Sequence, residues 1–144
     1  MKRKISIVLV LAVCLSLCFS SVTFADKTSD NGYAGTSPAY GTLSWNNNSA
    51  SSYIGCGGAS YVYTRVQFCY QFGSIYINRV ADNSATGSYA IGATATAIYT
   101  PVTRVAARGE YIASNTGGTW HPKSPYNDYW ATWIGDFPNN YILQ

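Results

Sequence analysis

Arg108 and Glu110 stand two residues apart in a run that alternates apolar and polar positions, so both side chains leave the same face of a strand. Such a pair can grip a ligand carboxylate or a sugar hydroxyl. It can equally spend its charges on neighbouring strands as a cross-strand ion network. The second chemically suggestive stretch is the tail. Between Trp120 and Leu143 lie seven aromatic side chains: Trp120, Tyr126, Tyr129, Trp130, Trp133, Phe137 and Tyr141. Exposed indole and phenol rings stack on the apolar faces of sugars, and they also rest well at membrane interfaces. Trp120, Tyr126, Tyr129, Trp130 and Trp133, with Arg108 and Glu110, are therefore the candidate ligand-binding residues.

Catalytic constellations are weaker. Asp128 and Asp136 are the carboxylates available to a glycosidase couple, but nothing in their spacing marks them as opposed. His121 is the single histidine, it precedes a proline, and no Gly-x-Ser-x-Gly elbow accompanies it. Cys56, Cys69 and His121 are the only soft ligands after residue 25, which argues against zinc. The Gly55-Cys56-Gly57-Gly58 turn lacks the lysine and the helix of a phosphate loop. No metal and no cofactor is expected.

The elements that must position these residues read as strands. From Ser88 to Ala113 two alternating runs meet at Thr100-Pro101. Ala93, Ala95, Ala97 and Tyr99 share one face of the first. In the second, Val105, Ala107, Tyr111 and Ala113 oppose Arg104, Arg108 and Glu110. A period of two is the signature of a half-buried strand, and the pair is expected to form a hairpin through a tight turn. The alanines make a thin inner face on which bulky rings from elsewhere would pack. Ser60–Tyr70 is the other clear strand, with Val62, Thr64, Val66 and Phe68 on one face and Tyr61, Tyr63, Arg65, Gln67 and Cys69 on the other. Tyr63 and Arg65 fall on its half-exposed side. Turn residues recur about every ten positions and no helical period is long enough for a bundle. The expectation is an all-β domain, a small antiparallel β-sandwich or small barrel of about six or seven strands.

Residues 1–25 read as a secretory signal peptide. Lys2, Arg3 and Lys4 precede an apolar run from Ile5 to about Phe19, and Thr23 and Ala25 make a small-residue cleavage motif before Asp26. Residues 26–144 would then be a single secreted domain, with 26–38 loosely ordered. Three of the nine basic side chains lie in the leader, leaving six against six acidic groups. The net +3 is thus a targeting feature, and no basic field remains for nucleic acid. Cys56 and Cys69, an even pair in an exported chain, are expected to form a disulfide.

The functional expectation is a secreted, non-enzymatic binding module that recognises a cell-surface glycan or protein through the aromatic C-terminal cluster. The alternative is a membrane-active antimicrobial or toxin-like protein, and a small hydrolase is a distant third.

Overall fold

The computed structural model describes residues 27–87, 89–123 and 129–144. The segment expected to be a signal peptide lies outside the described residues, as do Ser88 and residues 124–128. Ten strands follow in order: β1 Lys27–Ala34, β2 Ser37–Trp45, β3 Ser49–Cys56, β4 Tyr61–Phe72, β5 Ile75–Thr86, β6 Ala90–Thr96, β7 Thr103–Asn115, β8 Gly118–Trp120, β9 Thr132–Ile134 and β10 Ile142–Leu143. They form two sheets. One has four strands in the order β1-β2-β3-β6. The other has six, β10-β5-β4-β7-β8, with β9 also paired to β7.

The core lies between the sheets. Leu43, Trp45, Ala50, Ala93 and Ala95 from the smaller sheet meet Val66, Phe68, Tyr70, Ile77 and Ala107 from the larger. A second cluster joins Ala34, Ile54 and Cys56 to Val62, Tyr111 and Trp120. Small alanines on β6 let Trp45, Phe68 and Tyr70 approach, so ring volume on one side offsets its lack on the other. A buried hydrogen bond from Thr64 Oγ1 to Ser52 Oγ at 2.8 Å crosses from β4 to β3. Asn115 Nδ2 donates to the Ala34 carbonyl at 2.6 Å and ties β7 to the end of β1.

Four expectations change. The domain is all-β, but it is not one sandwich or barrel of six or seven strands. Its described residues form ten strands in a four- and a six-stranded sheet, because the tail contributes short edge strands and the polar start contributes a full one. Lys27–Ala34, read as loosely ordered, pairs over its whole length with β2. Its last inward positions are small: Gly32 leaves room for the Trp120 indole, and Ala34 is buried.

The expected hairpin through Thr100-Pro101 is absent, since β6 pairs with β3 while β7 pairs with β4. The chain crosses from one sheet to the other there. Alternation says which face is dry, not which strand lies alongside.

The disulfide is also overturned: Cys56 and Cys69 are both free and buried. Cys56 ends β3 on its core-facing side, in the cluster that Val62 joins from β4. Cys69 is seven residues along β4 from Val62 and of opposite parity, so it faces away from the core. That separation is roughly 23 Å along an extended strand, against the 4.4–6.8 Å that a bridge requires.

Candidate binding site

The outer face of the six-stranded sheet assembles the charged and aromatic candidates. On β4 the odd positions point outward, and the β4–β7 register places Tyr63 beside Ile112, Arg65 beside Glu110, and Gln67 beside Arg108. Cross-strand neighbours on one face lie roughly 4.5–5.5 Å apart at Cβ, close enough for direct pairing. Arg65 Nη2 stands 2.7 Å from Glu110 Oε2, and Arg108 Nε donates to Gln67 Oε1 at 2.6 Å.

β8 and β9 then line the same edge of β7 one after the other. β8 pairs with Ala113–Asn115 and β9 with Ala107–Gly109. The chain between them brings Trp130 over the sheet. Its ring lies 4.7 Å from the Arg65 guanidinium and 4.3 Å from that of Arg108. Arg108 also meets Trp133 at 5.1 Å and Phe137 at 4.7 Å, and the last two rings meet edge to face. A guanidinium on an aromatic face gains most when water is shed from both.

Beside this clamp is a groove of about 400 Å³ lined by Tyr61, Tyr63, Arg65, Glu110, Ile112, His121 and Tyr129. Glu110 forms its floor and is only 5% exposed. A carboxylate so buried requires cationic or hydrogen-bonding partners. Arg65 is one, and His121 Nε2 is the second at 3.4 Å from Oε1, an ion pair when the imidazole is protonated. Glu110 Oε2, Arg65 Nε and His121 Nε2 are buried and carry no hydrogen bond, so these contacts are held by charge. The His121 ring stacks on Tyr129 with centroids 5.2 Å apart, and Lys123 Nζ sits 5.4 Å from the Tyr129 centroid. Burial raises the pKa of the Tyr63 hydroxyl against the opposing pull of Arg65, with smaller upward contributions from Glu110 and Asp82, so it stays a neutral donor. The floor is therefore polar and the walls are ring faces.

The sequence candidates divide cleanly. Arg108, Glu110, Tyr129, Trp130 and Trp133 come together on this face. Trp120 does not: it is 8% exposed, faces the core opposite Ala113, and stacks on Tyr111. Tyr126 lies outside the described residues. Trp130 and Trp133 are held by arginines as half-buried packing, which leaves Tyr129, 54% exposed, as the open ring of the set. The sequence reading missed the roles of Tyr61, Arg65 and His121. Their signal was the outward parity of β4 and the pairing of Arg65 with Glu110, which only the register reveals. Among the described residues no group of three or more His, Cys, Asp or Glu side chains is placed to hold a metal ion.

The chain matches no protein-family model, no curated protein and no solved structure.

Proposed function

We propose that the chain is a secreted, non-enzymatic binding module that recognises a cell-surface glycan in the groove beside Tyr129. One observation carries the reading: a buried carboxylate between a guanidinium and an imidazole, floored below aromatic walls. Sugars present this chemistry in complement. Their hydroxyls donate to a carboxylate and accept from arginine, while their C–H faces lie against phenol rings. Trp130 stacks on Arg65 at the edge of the groove, so its fluorescence reports occupancy.

The test is a titration of the full chain with surface glycan fragments, followed by Trp fluorescence and amide spectra. Saturable shifts that are lost in Tyr129→Ala and weakened in Glu110→Gln support the reading. An unresponsive spectrum across neutral and acidic glycans, or a tight protein partner captured at the same face, overturns it.

Membrane activity is the second reading, and it draws support from a surface other than the tryptophans. Phe72, Ile75, Ile98, Tyr99, Tyr141, Ile142 and Leu143 are all exposed. Phe72 stacks on Tyr99 at 4.8 Å and pairs with Ile75, which shares a groove with Tyr141 and Ile142. A connected apolar rim of this kind suits an acyl boundary. Dye release from lipid vesicles that falls in Ile142→Asp would favour this reading over the glycan one.

A further inference from the structure

The opposite side of the molecule carries a surface that the groove does not use. On the four-stranded sheet, Tyr33, Tyr40 and Tyr53 are 68%, 43% and 39% exposed, one on each of β1, β2 and β3. The register sets them on a diagonal. Tyr33 faces Pro38, two residues before Tyr40 on β2, and Tyr40 faces Gly55, two residues after Tyr53 on β3. Residues of one parity share a face, so all three rings leave the same side.

The rings lie down on the sheet. A β-carbon at Gly55 would meet the Tyr40 ring at 2.5 Å, and one at Gly92, beside Tyr53 on β6, would meet that ring at 3.6 Å. The glycines leave the floor flat under both phenols. The Tyr40 and Tyr53 centroids are 6.1 Å apart and their planes differ by 35°. Two ring faces are thus offered to solvent side by side. The diagonal ends on β6 at Thr94, whose Oγ1 is 2.9 Å from Ser51 Oγ.

Charge narrows the partner. The outward positions of these four strands are Ser, Thr, Asn, Gly, Pro, Ala and Tyr, apart from Lys27 at the end of β1. A polyanion finds no cationic field here. An acyl chain would have to strip water from the hydroxyls around the rings. The complementary ligand is flat, with an apolar face and a polar, uncharged rim. Diagonal neighbours on adjacent strands lie roughly 7–8 Å apart, and the Tyr40 and Tyr53 rings approach to 6.1 Å, so the line of rings can meet successive units of one extended chain. We infer that the outer face of the four-stranded sheet is a second platform, binding an extended uncharged polysaccharide along the line Tyr33–Tyr40–Tyr53. The inference does not rest on the groove, because the two surfaces face away from each other across the core.

The test is depletion of the full chain from solution by insoluble cellulose, chitin, starch and xylan. The protein is expected to sediment with at least one of them, and to stay bound when salt is raised to molar levels. Tyr40→Ala/Tyr53→Ala, with far-UV circular dichroism confirming the fold, is expected to lower the association constant at least tenfold. Tyr53→Phe keeps the ring and is expected to bind as the parent does, and Tyr129→Ala, which cripples the groove, leaves this binding intact. No depletion by any of the four polymers overturns the inference. So does loss of binding at high salt, equal binding by the folded double variant, or sedimentation only with phosphatidylcholine vesicles. Should the double variant fail to fold, the salt dependence and a Tyr53→Ser single variant decide the question in the same terms.

Discussion

The indole of Trp120 fills the space above Gly32 that any side chain there would occupy. This one contact joins the first strand of the smaller sheet to the short edge strand of the larger one, and so closes one side of the core. Trp120 in turn stacks on Tyr111 with centroids 6.3 Å apart and planes 11° from parallel. Gly32→Ala is expected to destabilise the fold by about 1–3 kcal/mol through overpacking. Urea unfolding measures it, and Trp120→Phe in the same background should return part of the loss.

Tyr111 is buried on the core side of β7, and its hydroxyl meets Thr132 Oγ1 at 2.7 Å. This bond anchors β9 from beneath, while Trp133 packs on Arg108 above. Tyr111→Phe strands the threonine hydroxyl and is expected to cost about 1–3 kcal/mol. Tyr111→Phe/Thr132→Val removes both polar ends and should be less destabilised than the single variant. A double-mutant cycle in chemical denaturation reads the coupling directly.

Burial pushes the Cys69 thiol up from 9.0 to about 11. The unfolded chain then releases this proton near pH 9 and the folded chain only near pH 11, so the folded state holds more protons between them. Stability is full below pH 9 and falls as pH rises through that window, by on the order of 2–3 kcal/mol. Tyr111 is shifted upward by burial as well, which extends the decline beyond pH 10. Denaturation midpoints measured from pH 8 to 11 should show the fall beginning near pH 9, and Cys69→Ala should delay its onset.

Cys56 and Cys69 are both free thiols. A reducing agent should therefore leave the unfolding midpoint unchanged. Thiol labelling should find Cys56 and Cys69 reactive in denaturant and almost unreactive in the native protein. An oxidised, cross-linked species in the purified protein would contradict the structure.

Arg108 is held by three rings and by Gln67. Lysine keeps the charge but loses the planar stacking surface and the fixed Nε–H. Arg108→Lys is expected to cost about 1–2 kcal/mol and to shift the Trp emission, because Trp130 and Trp133 lose their clamp. Thermal melts and fluorescence spectra check the two effects separately.

Much of the strand content was legible because alternation is local. The dry face of β4, Val62 through Phe68, can be read from four residues at a spacing of two. So can the outward parity of Arg108 and Glu110. What alternation does not carry is partnership. Arg65 and Glu110 are neighbours only because β4 lies beside β7. The same gap produced the false hairpin between β6 and β7. It also hid the groove, whose members come from β4, β7 and the segment after β8. The tryptophans show the limit most sharply. Trp120 and Trp133 are of the same type in the same tail. One pairs with Ala113 on the core side and the other with Arg108 on the outer side, and parity within very short strands decided which. The cysteines failed for a related reason: their even count suggested a bridge, while Cys56 faces the core from β3 and Cys69 leaves the outer face of β4, with the larger sheet between them. β1 was missed because its last inward residues are small, and its place depends on a ring that arrives from β8.

The crossing between β6 and β7 has a consequence in time. β1, β2 and β3 follow one another as neighbours, and β4 folds back directly onto β5, so each of these pairings closes over a short stretch of chain. The centre of the larger sheet cannot close that way. β4 must wait for Thr103–Asn115, with β5 and β6 threaded in between. Entropy makes that late, long-range zipping the slow event. A chain not yet released to residue 115 can pair these neighbours but cannot close the core. Such a chain remains pliable until nearly all of it has been released.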